Sequence, residues 1–479
     1  MNRLGVVLFV GVLILGFLLR LYRFDNPIAD WHSWRQADTS SVSRKFAAEG
    51  FDVMHPKYQD LSPQGLGVEN PNGYRFVEFP VYNVLQAAPF VLFGTFTLEE
   101  WGRLVTIFSS LLAGIFIFLI VRRHASREAA FFAYAFYTLI PFNLYYGRVI
   151  LPDPLVVTAF LGGIYFFDKW IEKNKENRSL FFLLISGVLL ALSILLKPFA
   201  LFFTLPILYL VWINFGLRAI KNYKLWIFAL VSLIPFVLWR LWINQYPEGI
   251  PASSWLFNEG NIRFKGAFFY WIFADRIGRL ILGYWAVALF VLGFLRKFDK
   301  NFLFFLSFFA SSVVYFTVIA KGNINHDYYQ ILIVPSLVIF VGLGVEFLLQ
   351  NAGKPFPKLT SYSIIFVCSV FTFLFGWYFI RDYFNINNFS LVEAGREADR
   401  ILPKDAKVIA PYGGDTALLY HINRDGWAFS RRDDEFMMSL GATHMAVVNP
   451  TKEERERLEK YEVLANPSNF LILNIRIKK

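Results

Sequence analysis

Cysteine is nearly absent: the 479 residues contain one, Cys368. A disulfide within the chain and a cysteine-based metal site are both excluded, and nothing follows about redox compartment. Charge is also scarce. Asp, Glu, Lys and Arg make up 17% of the chain, against about 25% in soluble domains. That argues against an ordinary cytosolic enzyme and against a disordered chain. The six histidines show no HExxH or other paired spacing, so a zinc hydrolase has no support. A P-loop and a GxGxxG after a strand are missing too. There is no fixed-period repeat, Pro-rich linker or low-complexity tract.

Apolar residues are abundant instead, at 56%, with 55 phenylalanines. They gather into runs long enough to cross a bilayer, which takes about 18–22 residues. The first, Leu4 to Leu19, is followed by Leu-Arg-Leu-Tyr-Arg and not by a small-residue cleavage site. It reads as an uncleaved transmembrane helix. Further runs fall near 101–121, 129–147, 153–170, 179–196, 198–215, 225–243, 277–295, 301–320, 328–350 and 361–380. The expectation is a polytopic α-helical membrane protein of about eleven transmembrane helices.

The formal charge is +11, and the basic residues sit mostly between apolar runs. One set of connections is rich in them: Arg3; Arg122, Arg123 and Arg127; Lys169, Lys173, Lys175 and Arg178; Arg218, Lys221 and Lys224; Arg296, Lys297 and Lys300; Lys354 and Lys358. The tight connections of the other set carry only Arg148, Lys197 and Lys321. The positive-inside rule places the rich set in the cytoplasm. The N-terminus is then inside and the C-terminus outside, in the plasma or inner membrane, and nucleic acid is not a partner.

Two long loops fall on the outer side. The first spans 23–100 and is rich in Trp, His, Tyr and Asp, which disfavours disorder. Within it, Val81 to Gly94 is too short to span comfortably and carries Asn83, Gln86 and Pro89. It reads as an interfacial or re-entrant helix. The second loop covers 244–276. Beyond Arg381 charge becomes dense. Leu391 to Leu402 has helical spacing, while 407–410, 444–448 and 470–477 look like strands. Thr451 with Glu454 makes a capping box. The expected division is a transmembrane domain over 1–382 and a small extracytoplasmic α/β domain over 383–479.

Candidates for chemistry lie on the outer face. In Trp31-His-Ser-Trp-Arg-Gln-Ala-Asp38-Thr39, Asp38 stands near His32 and Arg35. It is either a general base or the N-cap of a helix from Thr39 to Glu49 that ends at Gly50. Glu78, in Val77-Glu-Phe-Pro80, is either a metal or phosphate contact or a carboxylate favoured by a helix dipole. In Arg148-Val-Ile-Leu-Pro-Asp153-Pro154, Asp153 looks locally like a cap. Yet it and Arg148 sit at a membrane boundary, where ionisable groups are often functional. Lys197 ends an apolar run and either snorkels or pairs with phosphate. Lys321 to Tyr329, with His326, Tyr328 and Tyr329, is either an anion site or a polar loop with a tyrosine belt. Gly413-Gly414-Asp415 reads as a turn.

The strings HSWRQADTSSVSRKFAAEG (32–50), VEFPVYNVLQ (77–86), GRVILPDPLVV (147–157) and HDYYQILIVPSL (326–337), in this order and on one side, carry a resemblance. The chain resembles the bacterial branch of the protein O-mannosyltransferase and lipid A aminoarabinose transferase superfamily, which are glycosyltransferases of the GT-C fold. The resemblance covers roughly 1–380. It implies a sugar donor carried on a polyprenyl phosphate and transfer, with inversion, to a protein, lipid or glycan acceptor on the outer face. It matches Asp38 to the first-loop carboxylate that acts as base or orients the acceptor, and Glu78 to that loop's later acidic residue. Arg148 and Asp153 match the acidic site after the third helix. Arg35, Arg148, Lys197, His326, Tyr328 and Tyr329 would serve donor phosphate or substrate. A divalent cation, Mg2+ or Mn2+, held by Asp38, Glu78 and Asp153 is one option, and metal-independent transfer the other. Two features depart from the family. Asp38 is flanked by Ala37 and Thr39 where an acidic pair is frequent, and Phe79 follows Glu78 where lysine is common in aminoarabinose transferases. Arg35, Arg75 or Lys197 would then take the phosphate. The competing expectation is a lipid-linked-sugar flippase or transporter. Internal symmetry and mid-membrane ionisable groups, usual in transporters, are not evident in the sequence. A surface scaffold anchored by its membrane part is a third reading.

Overall fold

A computed structural model describes residues 3–65, 67–173, 179–429 and 433–478; Lys175 and Arg178 of the basic set lie outside them. The apolar runs form helices as expected. Seven of those described are long and apolar enough to cross a membrane: Arg3–Arg20, Leu98–His124, Asp153–Glu172, Pro198–Lys221, Tyr223–Ile243, Lys300–Val318 and the apolar part of Lys358–Ile401. A bent pair, Gly266–Ile281 with Ala286–Gly293, makes an eighth if counted as one span. Shorter apolar helices cover Val81–Phe93, Leu180–Leu196 and Val334–Gln350. The protein is a multi-pass membrane protein.

Several expected spans are interrupted, for local reasons. The run 129–147 is helical over Arg127–Leu139 and breaks at Ile140, whose ψ is 133°. Ile140 precedes Pro141, and proline disfavours helical backbone in the residue before it. The run 277–295 bends by 115° where Gly283 and Tyr284 both take positive φ. The run 328–350 opens with a 3-10 turn, Asp327–Leu332, and becomes α-helical only from Val334.

The chain forms two compact units. The first comprises 1–22, 106–240 and 253–382. Here Asp153–Glu172 packs along Ser179–Leu196, and Val334–Gln350 packs against both Ala286–Gly293 and Arg127–Leu139. Small residues allow that approach: a Cβ on Gly344 would collide with the carbonyl of Leu289. Helices in lipid commonly associate through such contacts. Arg123 pairs with Asp168, which also meets His124 at 3.0 Å, and Arg296 lies 3.2 Å from Glu346. Two of the arginines read as topology signals thus also tie helices together.

The second unit comprises 23–105, 241–252 and 383–479. Its five-stranded sheet consists of β1 (Val408–Ile409), β2 (Gly426–Trp427), β3 (His444–Val448), β4 (Tyr461–Ala465) and β5 (Phe470–Lys478), in the order β2-β1-β3-β5-β4. β1 runs parallel to β2 and β3, while β5 is antiparallel to β3 and β4. The Thr451–Glu454 capping box is present, and Gly413 and Gly414 take the positive φ of a turn. The two-residue β2 and the charged β4 lacked enough pattern to be read in advance. First-loop residues extend the sheet edge. The Leu61 N–H donates to the Gly426 carbonyl at 2.6 Å, and the Gly426 N–H donates to the Gln59 carbonyl at 3.0 Å. Leu61 also enters the core with Ile409, Trp427 and Leu473.

Candidate functional site

The expected carboxylates gather cations around them, in one cluster within each unit. In the second unit the helix Ser33–Glu49 begins five residues before Asp38. Asp38 is therefore an interior helix residue, and the cap reading is overturned. The early start leaves Asp38 projecting from a helix whose residues 35–43 are all buried. Its position is 4% exposed. Arg75 binds Oδ2, and the Thr416 hydroxyl donates to Oδ1 at 2.6 Å. Arg75 donates in turn to Gln64 Oε1 at 2.6 Å. Burial would lower the Arg75 pKa, but Asp38, Tyr58 and Glu78 together outweigh it and raise it.

Glu78 does not stand alone before its helix. It pairs with Arg35, both side chains being about 10% exposed. Arg35, Asp38, Arg75 and Glu78 line one small cleft together with Thr39 and Asn83. Its wall is held by the helix Val81–Phe93, where Asn83 donates to the Thr39 carbonyl at 2.7 Å and the Ser43 hydroxyl donates to Gln86 Oε1 at 2.8 Å. That helix leaves Val91, Leu92 and Phe93 exposed, as a helix lying in a membrane surface would.

Two further carboxylates flank this cluster. Asp60 accepts from the Ser62 and Ala428 N–H groups at 3.0 and 3.1 Å. Burial, reinforced by the Asp38 charge, still pushes its pKa up. Burial likewise raises Asp415 to about 6, with Asp38 adding to the effect. His421 is held down to about 4 by burial, so it is neutral at pH 7 and donates from Nε2 to the Ile28 carbonyl at 3.0 Å.

In the first unit Asp153 occupies the first turn of Asp153–Glu172, whose N-cap is Pro152, with no side-chain capping bond. The cap reading fails here as well. Asp153 is fully buried, and its Oδ1 pairs with the Lys197 ammonium. Its Oδ2 accepts no hydrogen bond from the described residues. Lys197 lies 4.3 Å from the Tyr329 ring centre, 5.3 Å from that of Tyr328 and 5.7 Å from that of Phe199. An ammonium so placed is stabilised by the ring faces. Lys197 thus faces inward, which answers the snorkelling alternative, and buried Tyr328 and Tyr329 are not a lipid-facing belt. The His326 ring centre lies 5.4 Å from that of Tyr328 and 5.6 Å from that of Trp255. Arg148 is fully buried, 5.6 Å from the Tyr145 ring centre. Tyr146 donates to Asp327 Oδ1 at 2.5 Å.

The proposed cation ligands fit a metal poorly. Asp38 and Glu78 each engage an arginine, and among the described residues no three His, Cys, Asp or Glu come together in a metal-holding group. Sequence reasoning missed Thr416, Gln64, Asp60 and Tyr146 as parts of these clusters, and read Asp415 only as part of a turn. For Thr416 the available signal was its place after a Gly-Gly turn; for Tyr146 there was none.

Residues 77–242 match the family model described as dolichyl-phosphate-mannose-protein mannosyltransferase. No curated protein matches the sequence. Among solved structures, ArnT from Cupriavidus metallidurans bound to undecaprenyl phosphate superposes with a TM-score of 0.66 at 15% identity, covering 99% of this chain and 98% of that one. The Archaeoglobus fulgidus oligosaccharyltransferase, in complex with zinc and sulfate, gives 0.59 at 10% identity over 97% of this chain and 73% of that one. The same organism's AglB, with an inhibitory peptide and a dolichol-phosphate, gives 0.56 at 10% over 97% and 74%. The chain has the GT-C fold of these structures, and its residues 77–242 are similar to the mannosyltransferase family.

Proposed function

We propose that this chain is a glycosyltransferase that moves a sugar from a polyprenyl-phosphate donor to a hydroxyl of a protein, lipid or glycan acceptor, inverting the anomeric carbon, on the outer membrane face. The observation that carries this reading is the buried Asp38 carboxylate, fixed through both oxygens by Arg75 and Thr416. A carboxylate offers about four lone-pair sites, so two remain for an acceptor hydroxyl. The acceptor oxygen attacks the anomeric carbon, the bond from that carbon to the phosphate oxygen breaks, and the hydroxyl proton passes to Asp38. The electron pair leaves with polyprenyl phosphate. The base acts in concert with attack, and oriented groups in a shielded site do most of the work.

Lys197 supplies the point charge for the donor phosphate, and Tyr328, Tyr329 and His326 shape its surroundings. Arg148 and Asp153 fix that cluster, Asp153 through its pairing with Lys197. Arg35 is kept for substrate by its pairing with Glu78. No step runs through a metal. The basic connections lie in the cytoplasm, and the second unit lies outside.

The test uses purified protein in proteoliposomes with radiolabelled polyprenyl-phosphate sugars. Asp38→Asn abolishes transfer while donor binding persists. Normal transfer by that variant overturns the reading. Movement of the donor between leaflets with no transfer, unchanged in Asp38→Asn, identifies a flippase instead. Labelling of an engineered C-terminal cysteine from the cytoplasmic side alone overturns the orientation.

A further inference from the structure

We propose that the C-terminal α/β domain is a working part of the transfer site, with Thr416 as a positioning residue for Asp38. This rests on the glycosyl-transfer reading above and assigns a role to a domain whose own residues announce none.

Thr416 is the N-cap residue of the short helix Ala417–Ile422, yet its side chain makes no capping bond. A threonine there ordinarily accepts a hydrogen bond from its own helix. Here the first turn is served by Asp415, whose Oδ1 accepts from the Ala417 N–H at 2.8 Å. The Thr416 hydroxyl is thereby released to donate. Two acceptors lie in reach, the Trp34 carbonyl at 3.2 Å and Asp38 Oδ1 at 2.6 Å. The shorter contact to the ionised group is the stronger.

The delivery of Thr416 is over-determined. Gly413 and Gly414, at φ 63° and 84°, turn the chain in a conformation that residues with a side chain rarely adopt. Arg44 donates to the Tyr420 carbonyl at 2.7 Å and stacks 3.6 Å from the Tyr420 ring centre. Lys45 pairs with Asp425 at 2.9 Å. These contacts run along the helix that carries Asp38. They fix the following helix against it, while the bridge from 59–61 to β2 fixes the sheet. With Arg75 on one oxygen and Thr416 on the other, rotation of the carboxylate is stopped, and each oxygen keeps a lone pair for substrate.

The test measures transfer by the full-length protein. Thr416→Val keeps the side chain's size and removes the hydroxyl. Its kcat is expected to fall about ten-fold or more, the usual consequence of losing a hydrogen bond to a charged group. The donor KM and the melting temperature are expected to hold, and Thr416→Ser restores kcat. A purely structural Thr416 gives the opposite pattern: unchanged kcat at full stability, or a loss that follows the melting temperature and is not rescued by serine. Either result overturns the proposal. If the valine variant fails to fold, Thr416→Ala is compared with Thr416→Ser by the same criteria. Failure of the underlying reading is distinguishable, because there Asp38→Asn leaves transfer intact. Loss in Asp38→Asn with normal turnover in Thr416→Val overturns only the role of Thr416.

Discussion

The Lys197 ammonium sits 4.3 Å from the centre of the Tyr329 ring while paired with the fully buried Asp153. A cation shared between an aromatic wall and a buried carboxylate is costly to remove, because its partner stays behind uncompensated. Removal of one member of a buried pair typically costs about 3–5 kcal/mol. Lys197→Met is therefore expected to lower the melting temperature in detergent and to abolish transfer. Adding Asp153→Asn should recover stability but not activity. An active double variant removes Lys197 from phosphate binding.

Arg75 holds Asp38 and is itself held by Gln64. Arg75→Met strands a buried carboxylate, and turnover is expected to fall by about 100-fold, in keeping with the 1.5–3 kcal/mol of a charged hydrogen bond plus lost orientation. Gln64→Ala loosens the same arginine from one side and should cost less than Arg75→Met. Equal losses in the two variants contradict this order.

Asp415 carries a pH signature. Its folded pKa, about 6 against an ordinary 3.8, means that the folded state holds its proton more tightly than the unfolded chain. The associated stability is complete below pH 3.8 and is lost as pH rises through 6. Asp415→Asn keeps an acceptor for the Ala417 N–H and has no charge to bury. It should melt higher than wild type above pH 6 and lose this component of pH dependence. A wild-type melting temperature that climbs from pH 4 to 7 more steeply than the variant's contradicts the assignment.

Chelation tests the metal option. Because Asp38 and Glu78 are each satisfied by an arginine, EDTA is expected to leave transfer unchanged. Loss on chelation with recovery on adding Mn2+ or Mg2+ restores the cation to the mechanism.

Gly344→Leu should disrupt the seam between Val334–Gln350 and Ala286–Gly293, since even a Cβ meets the Leu289 carbonyl. Overpacking of this kind costs about 1–3 kcal/mol. The melting temperature in detergent checks it, and an unchanged value overturns the packing.

Composition and spacing alone determined the membrane class, the positions of most helices, the α/β character of the last hundred or so residues, and the identity of Asp38, Glu78, Asp153 and Lys197 as residues worth watching. These follow from local rules: apolar runs need lipid or core, and caps and turns announce themselves within a few residues. The same local rules offered a cap reading for Asp38 and favoured one for Asp153, and both fail, because the start of the helix at Ser33 and the pull of Lys197 are not local facts. Only the tertiary structure decided the partner of each carboxylate. Arg75 is 37 residues from Asp38 and Thr416 is 378, separations at which no sequence pattern survives. A buried charge takes whatever counter-charge or donor the packing delivers, and that delivery depends on how a sheet edge, a Gly-Gly turn and a helix come together in space.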